Sequence, residues 1–173
     1  LKNINKIYLT ASGGPLLNFS KKKISNISIK EVLKHPTWRM GKKISIDSST
    51  MMNKVFEVIE AKNIFDLKLN KISILIHPKS YIHAIINFND GMIKIIAHET
   101  TMEIPIFNSL YPGVKEYYKI KKINLKYLNH LNLSDINHKK FPFLNILKII
   151  PQNISLFETV IVSANDELVR SYL

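Results

Sequence analysis

The stretch YIHAIINFNDGMIKIIAH, residues 81–98, decides the fold class because two apolar runs flank a two-residue turn. Asp90-Gly91 is a strong hairpin signal, since tight hairpin turns need the positive φ that Gly accepts without strain. The flanking runs are rich in Ile, which favours strands. We therefore predict an antiparallel hairpin with strands over Tyr81–Asn89 and Met92–His98.

Outward from this hairpin, short apolar runs predict three more strands and two long helices. The predicted strands are Lys6–Thr10, Lys43–Asp47 and Ile72–Ile76. The hydroxyls of Ser48-Ser49-Thr50 are typical N-caps, so a helix is predicted from about Met51 to Phe65. A last helix is predicted over Phe157–Leu173. This order of elements predicts an α/β domain whose mixed sheet includes the hairpin.

Composition limits the possible protein classes. The chain has 173 residues and is 46% hydrophobic, which is enough for one domain with a core. It has no cysteine, which excludes disulfides and thiolate metal sites. No apolar run approaches the roughly 18–20 residues that span a bilayer, so we predict no membrane partner. Because the sequence begins with Leu1 and reaches a strand almost at once, we expect it to be part of a longer protein.

The net charge of +12 raises the question of nucleic-acid binding. Only Arg39 and Arg170 are arginines, whereas base readout and stacking favour arginine over lysine. The abundance of Lys, Ile and Asn is also what an AT-rich genome would encode. A basic nucleic-acid-binding module is therefore kept only as a remote alternative.

The predicted helix after Ser48 carries a set of polar groups on one face. Asn53 and Glu57 are four residues apart, and Lys54 and Glu57 are three apart. A helix N-terminus with a hydroxyl, an amide and an ammonium could hold a phosphate, and a deeper carboxylate could bind a hard divalent cation. Spacing alone favours the plainer alternative, a surface helix with a solvated Lys54–Glu57 pair worth a few tenths of a kcal/mol.

Other candidates are equally ambiguous when each is considered alone. Ser12-Gly13-Gly14 follows a predicted strand and could approach a phosphate closely, although most such triplets are simple turns. His35 precedes Pro36 and Trp38 in what is either a ligand-binding loop or a packed one. The residues that we expect by default to fill the core or loops are His77, His83, Met40 and Met102.

Taken in chain order, these motifs resemble the 1-deoxy-D-xylulose 5-phosphate reductoisomerase family over almost the whole sequence. The resemblance rests on Ala-Ser-Gly-Gly-Pro at 11–15, Lys-His-Pro-Thr-Trp-Arg-Met-Gly at 34–41, Ile-Asp-Ser-Ser-Thr-Met-Met-Asn-Lys at 46–54, Glu-Val-Ile-Glu-Ala-Lys at 57–62 and Leu-Ile-His-Pro at 75–78. It continues more weakly through Phe-Pro-Phe-Leu at 141–144 and Ser-Ala-Asn-Asp-Glu at 163–167. The run from His35 to Glu57 is the most specific part.

The resemblance implies a role for each matching residue. The implied substrate-binding residues are Ser12, His35, Trp38, Met40, Ser48, Asn53, Lys54, Glu57 and His83. The implied catalytic residues are His35, Lys54 and Glu57, and Glu57 is also the implied metal ligand, with Glu60 as an acidic neighbour. The implied NADPH contacts are Gly41 and Met102.

The resemblance also implies what the whole protein does. Family members rearrange and reduce 1-deoxy-D-xylulose 5-phosphate to 2-C-methyl-D-erythritol 4-phosphate, using NADPH and Mg²⁺ or Mn²⁺. We expect an α/β mixed-sheet catalytic domain with helices on one side over residues 1–130. Residues 131–173 would form a linker and the start of a helical C-terminal domain. We further expect a homodimer in a bacterial cytoplasm, or in a plastid if a transit peptide lies upstream.

The sequence departs from the family pattern in several places. Val55 stands where a Gly usually follows the Asn-Lys pair. The family pattern Gly-x-Pro-Asp-Met-Arg is replaced by the run from His98 to Glu103, in which Glu103 takes the place of the Arg. The NADPH-binding domain and an Asp-Ser-Glu segment that supplies metal carboxylates are not in this sequence. We therefore expect the chain alone to be inactive, and a degenerate, inactive copy of the enzyme is the main alternative.

Overall fold

A computed structural model describes residues 3–35, 40–113, 122–153 and 155–173. The strands are β1 (Ile4–Ala11), β2 (Ile72–Ile76), β3 (Ile82–Phe88), β4 (Ile93–Ala97) and β5 (Ser134–Asp135). The α-helices are α1 (Lys21–Ile24), α2 (Ile29–Val32), α3 (Lys42–Thr50), α4 (Met52–Phe65), α5 (Glu103–Leu110), α6 (Leu125–Leu128) and α7 (Phe157–Tyr172). Two 3₁₀ helices cover Leu69–Lys71 and Pro142–Lys148.

The five strands form one mixed sheet in the order β4-β3-β1-β2-β5. Strand β1 runs parallel to β2, with Leu9 opposite Ile74, and antiparallel to β3, with Leu9 opposite Ala84. The predicted hairpin is confirmed as β3 and β4. The short strand β5 was not predicted, because its two residues extend the sheet by pairing with Leu75 and Ile76 rather than by an apolar pattern of their own.

The main core lies between this sheet and α4. Val55, Val58 and Ile59 recur at helical spacing and are buried against the strands. Phe141 and Leu144, at the start of the second 3₁₀ helix, belong to the same core. Burying each such side chain contributes about 1.5–3 kcal/mol, so α4 is held firmly on the sheet.

The predicted strand over Lys43–Asp47 is wrong, because these residues lie inside helix α3. The helix places Lys43 Nζ 2.7 Å from Asp47 Oδ2, a contact between residues four apart that an extended strand would not allow. The Ser45 hydroxyl also donates to the Gly41 carbonyl one turn earlier. These side-chain contacts favour the helix over the alternating apolar pattern of Ile44 and Ile46.

The predicted N-caps are also wrong, since Ser48, Ser49 and Thr50 form the last turn of α3. Met51 ends that helix with a left-handed backbone, φ 66°, and α4 begins at Met52. Thr50 keeps part of the expected role, because its hydroxyl accepts from the Met52 N–H at 3.4 Å. The chain therefore turns sharply between the two helices.

The final helix α7 was predicted, and it packs on α3 and α4 through buried polar contacts. Asn165 Nδ2 donates to Asp47 Oδ1 at 2.9 Å, and Lys62 Nζ lies 2.9 Å from Glu158 Oε1. Asp47 and Lys62 are both almost fully buried. Within the described ranges, no helix is both long enough and apolar enough to cross a membrane.

Candidate functional site

A cavity of about 480 Å³ opens where β1 ends and where α3 meets α4. Among the residues that line it are Ser12, His35, Met40, Ser48, Asn53, Lys54, Glu57, His83 and Met102. All nine were candidates from the sequence. They come from five separated segments of the chain, so the fold brings together what the sequence keeps apart.

The turn after β1 supplies Ser12 and depends on Gly14. Gly14 has φ 63°, and a Cβ on it would lie 2.6 Å from the Ser48 carbonyl oxygen. The sequence suggested that these glycines approach a ligand, whereas Gly14 instead lets the turn approach the end of α3. Ser12 and Ser48 consequently line the same cavity.

Ser12 is held in place by two neighbours. Its Oγ accepts from the Gly14 N–H at 3.3 Å and lies 3.2 Å from His35 Nε2. Partial burial lowers the pKa of His35 below its ordinary value, so the ring is neutral near pH 7. The serine hydroxyl and the histidine therefore form one hydrogen-bonded pair facing the cavity.

The first two turns of α4 supply the charged groups. Lys54 Nζ lies 2.6 Å from Glu57 Oε2, and the side chains are 13% and 40% exposed. The pair is thus less solvated than the plain surface-helix interpretation required. Beside it, Asn53 Oδ1 is buried and has no hydrogen-bond partner among the residues that the structure describes. A buried amide atom without a partner costs about 1–3 kcal/mol, which favours a ligand or ordered water here.

His83 stands on β3 at the other side of the cavity. Its ring stacks on His98 with centroids 3.6 Å apart and planes 13° apart. Its Nε2 lies 3.4 Å from the His98 carbonyl oxygen. Burial, reinforced by the neighbouring His98, lowers the pKa of His83 to about 4, so this ring is neutral at physiological pH.

Of the four remaining sequence candidates, three are described and do not line the cavity. Trp38 lies outside the described residues. Gly41 begins α3 next to Met40, with open space around it, and does not line the cavity. Glu60 is exposed and is likewise not among the lining residues. His77 is fully buried, as expected of a core residue. Its Nδ1 lies 3.2 Å from the Asn132 carbonyl oxygen, and its Nε2 has no hydrogen-bond partner within the described chain.

The sequence reasoning missed several lining residues. They are Thr10, Ala11, Ile44, Met51 and Ser80. Ser80 has φ 51°, a backbone conformation that is uncommon for residues other than Gly and often marks functional sites. No pattern in the sequence signals this conformation, because it arises from the tight connection between β2 and β3.

Comparison with known proteins assigns the chain to a family. A family model described as the 1-deoxy-D-xylulose 5-phosphate reductoisomerase C-terminal domain matches residues 1–65. The 1-deoxy-D-xylulose 5-phosphate reductoisomerase of Pelagibacter ubique (strain HTCC1062) is 58% identical over 171 residues, which are 99% of this chain and 44% of that protein. This chain belongs to the 1-deoxy-D-xylulose 5-phosphate reductoisomerase family. The reductoisomerase of Wolbachia pipientis wMel is 40% identical over 99% of this chain and 45% of its own length.

Solved structures of reductoisomerases share the fold. The enzyme from Zymomonas mobilis, solved in complex with NADPH, matches with a TM-score of 0.88 and 30% identity, covering 99% of this chain and 44% of that one. A DOX-P reductoisomerase in complex with NADPH, fosmidomycin and magnesium matches with a TM-score of 0.78 and 39% identity, covering 85% and 36%. The α/β fold with a mixed sheet is thereby confirmed. The chain spans less than half the length of these reductoisomerases.

The donor set present here does not by itself fit the metal of a reductoisomerase. Among the described residues there is no group of three or more His, Asp or Glu side chains that could hold a metal ion. Glu57 supplies one carboxylate, whereas Mg²⁺ and Mn²⁺ need near-octahedral oxygen ligation. The described residues likewise contain no Gly-rich turn between a strand and a helix of the dinucleotide-binding type.

Proposed function

We propose that this chain forms the substrate-binding wall of a 1-deoxy-D-xylulose 5-phosphate reductoisomerase, which converts its substrate to 2-C-methyl-D-erythritol 4-phosphate with NADPH. The single observation that carries the proposal is the convergence of nine candidate residues on one cavity. An accidental cluster would not combine hydroxyls, an amide, an ammonium and a carboxylate with neutral imidazoles.

The substrate phosphate would bind between the turn after β1 and the start of α4. Ser12 and Ser48 offer hydroxyl donors, Asn53 offers an amide, and Lys54 offers a positive charge that is only 13% exposed. Low exposure strengthens the attraction between ammonium and phosphate. The Asn53 Nδ2 amide group would donate to the phosphate, and a substrate hydroxyl, which can donate, would give the buried Asn53 Oδ1 the partner it otherwise lacks.

Glu57 would face the reacting end of the substrate. Its side chain is the more exposed member of the charged pair. It can therefore bind a cation while it keeps its contact with Lys54. A bound divalent cation would polarise the substrate carbonyl. Because one carboxylate is not a metal site, we propose that the other ligands lie in the Asp-Ser-Glu segment outside this sequence. The neutral rings of His35 and His83 would hydrogen-bond substrate oxygens.

The remaining proposed roles are to cover the bound substrate and to contact NADPH. Met40 and Met102 line the cavity, and Met102 is 56% exposed. We propose that Met102 and Gly41 contact NADPH, and that Met40 and Trp38 cover the bound substrate. Covering a phosphosugar by a loop excludes water from the reacting carbons.

The test is an NADPH-oxidation assay with 1-deoxy-D-xylulose 5-phosphate and Mn²⁺, using protein expressed from the full open reading frame. Turnover is expected, and Glu57→Gln should lower kcat/KM by about 100-fold or more, since one transition-state contact is worth about that much. Glu167→Gln, on the exposed face of α7, is the matched control and should change kcat/KM less than twofold. A folded protein with no turnover would overturn the proposal in favour of the degenerate copy.

We also propose that the whole protein is a homodimer that works in a bacterial cytoplasm. Support comes from β4, which lies at the edge of the sheet and leaves Met92, Ile93, Ile95 and Ile96 exposed. An exposed apolar edge strand is an aggregation hazard unless another surface covers it. Sedimentation of the full protein should give twice the monomer mass, and a monomer at micromolar concentration would contradict the dimer.

A further inference from the structure

His98 is a residue for which the functional proposal gives no role. It directly follows the last residue of β4. Its ring lies nearly parallel to the His83 ring, with centroids 3.6 Å apart, whereas two other aromatic pairs among the described residues have centroids 5.0 and 5.5 Å apart. The His98 side chain therefore touches a residue of the candidate site.

The hydrogen bonds determine which nitrogen of each ring carries a proton. A carbonyl oxygen can only accept, so His83 Nε2, 3.4 Å from the His98 carbonyl, carries the proton. His98 Nδ1, 2.7 Å from the Glu99 carbonyl, must carry its own proton for the same reason. In the neutral form, His83 then has Nδ1 as its unprotonated nitrogen, which accepts hydrogen bonds.

We propose that His98 is a positioning residue for His83: its ring fixes the ring plane of His83, and its carbonyl selects the Nε2–H tautomer. The consequence rests on the proposed function, because a ring held in this way would offer Nδ1 as an acceptor to a substrate hydroxyl. A glycine at position 98 could supply the carbonyl but not the ring. His98 therefore adds a second constraint on His83.

The other charged or titratable groups around His83 act in the same direction. Lys54 and His77 both disfavour a positive charge on the His83 ring. Stacked imidazoles tolerate at most one charge, because two parallel cations at 3.6 Å repel strongly. The environment as a whole keeps His83 neutral, and its pKa of about 4 agrees with the geometry.

The backbone at position 98 is held independently of the side chain. The His98 N–H donates to the Tyr81 carbonyl at 3.1 Å, which continues the pairing of β3 with β4. Thr100 Oγ1 donates to the Lys79 carbonyl at 3.3 Å and fixes the following residues. Replacing the His98 ring should therefore change His83 without unfolding the hairpin.

The first experiment is ¹⁵N NMR of the histidine rings in the 173-residue chain, for the unchanged protein, His98→Ala, His98→Phe and the control His138→Ala. His98→Ala should raise the His83 pKa by about one unit, since the ring that buries His83 is removed, and it should mix the two tautomers, since the freed His83 ring can turn away from the carbonyl of residue 98. His98→Phe, which keeps a flat ring, should retain the single Nε2–H tautomer. His138 is exposed, so its removal should leave the His83 signals unchanged.

The second experiment measures KM and kcat across pH in the full-length protein. His98→Ala should raise KM about tenfold, equivalent to 1.4 kcal/mol, with a smaller change in kcat, and His98→Phe should restore KM. Unchanged His83 tautomer and unchanged KM in His98→Ala would overturn the inference. Because the NMR measurement needs no turnover, an inactive protein with altered His83 signals would refute the proposed function while supporting the positioning role.

Discussion

Helix α4 carries a lysine–glutamate ion pair near each end, and the two pairs differ in what surrounds them. Near the start, Lys54 contacts Glu57 at 2.6 Å, and Glu57 is 40% exposed. Near the end, Lys62 contacts Glu158 of α7 at 2.9 Å, and Lys62 is only 2% exposed. Similar distances thus join one pair that opens to a cavity and one that is sealed.

The difference separates a binding role from a structural one. Glu158 also accepts from the Ser155 hydroxyl at 2.8 Å, so the sealed pair satisfies itself within the protein. The open pair lies beside the buried Asn53 oxygen, which has no partner in the described part of the chain. The start of α4 has unmet hydrogen-bonding capacity, whereas its end holds α7 in place.

The largest effect is expected from breaking the sealed pair. Glu158→Gln keeps the shape of the side chain but leaves the buried Lys62 ammonium without a counter-charge, which costs about 3–5 kcal/mol. Urea denaturation of the 173-residue chain should show this fall in the free energy of unfolding. Replacing both residues, Lys62→Met with Glu158→Leu, should recover most of it because no buried charge remains.

The pH dependence of the unchanged chain gives an independent check on the same pair. The hydrogen bond from Lys62 lowers the pKa of Glu158 to about 2. Its contribution to stability is therefore complete above the unfolded pKa of about 4.3 and is lost as pH falls through about 2. Glu158→Gln should weaken this acid dependence; a variant with the same acid dependence as the unchanged chain would show that the pair is not what stabilises α7.

The next effect is expected at the open pair, and it concerns function rather than stability. In the full-length protein, Lys54→Ala should lower kcat/KM by about 100-fold, because it removes the cation proposed to hold the substrate phosphate. The free energy of unfolding should change by less than about 1 kcal/mol, as for other partly exposed pairs. Lys30→Ala, on exposed α2, is the matched control for both measurements. A stability loss as large as that of Glu158→Gln would erase the distinction between the two pairs.

The fold could be predicted where local sequence patterns determine it, and not where contacts between distant residues do. β1, β2 and the last helix follow from local patterns, because each presents apolar residues to the core, and the hairpin follows from its Asp90-Gly91 turn between two Ile-rich runs. Helix α3 could not be predicted, since the alternation of Lys43–Asp47 is equally typical of a strand. What decides it includes the contact of Asp47 with Asn165, 118 residues away, and no local window contains that information.

The residue types of the candidate site could be predicted, but the contacts between them could not. Spacing alone left Lys54 and Glu57 as a plain surface pair, and only the resemblance to a family selected them. The contact of His98 with His83 is different, because it joins the two ends of the hairpin in a way that pairing register alone does not determine. The sequence therefore named nine of the residues that line the cavity but not the neighbours that orient them.

The smallest effect is expected at the turn after β1, which contains Ser12 and Gly14. Gly14→Ala should cost about 2 kcal/mol, because an alanine there has φ 63° and its Cβ would lie 2.6 Å from the Ser48 carbonyl oxygen, a backbone atom that must shift. Gly91→Ala is the matched control, since it also has positive φ, 85°, but meets no atom within 4 Å. It should cost only about 1 kcal/mol for the backbone conformation.

The difference between the two glycine variants measures the close approach of the turn to α3. In the full-length protein, Gly14→Ala should also raise KM severalfold, because the shift separates Ser12 from Ser48, whereas Gly91→Ala should leave KM unchanged. Equal losses of stability in the two variants, with no change in KM, would mean that the turn can move away from α3 without disturbing the site. The difference between the two ends of α4 would then depend on their ion pairs alone, and not on the packing of the turn against α3.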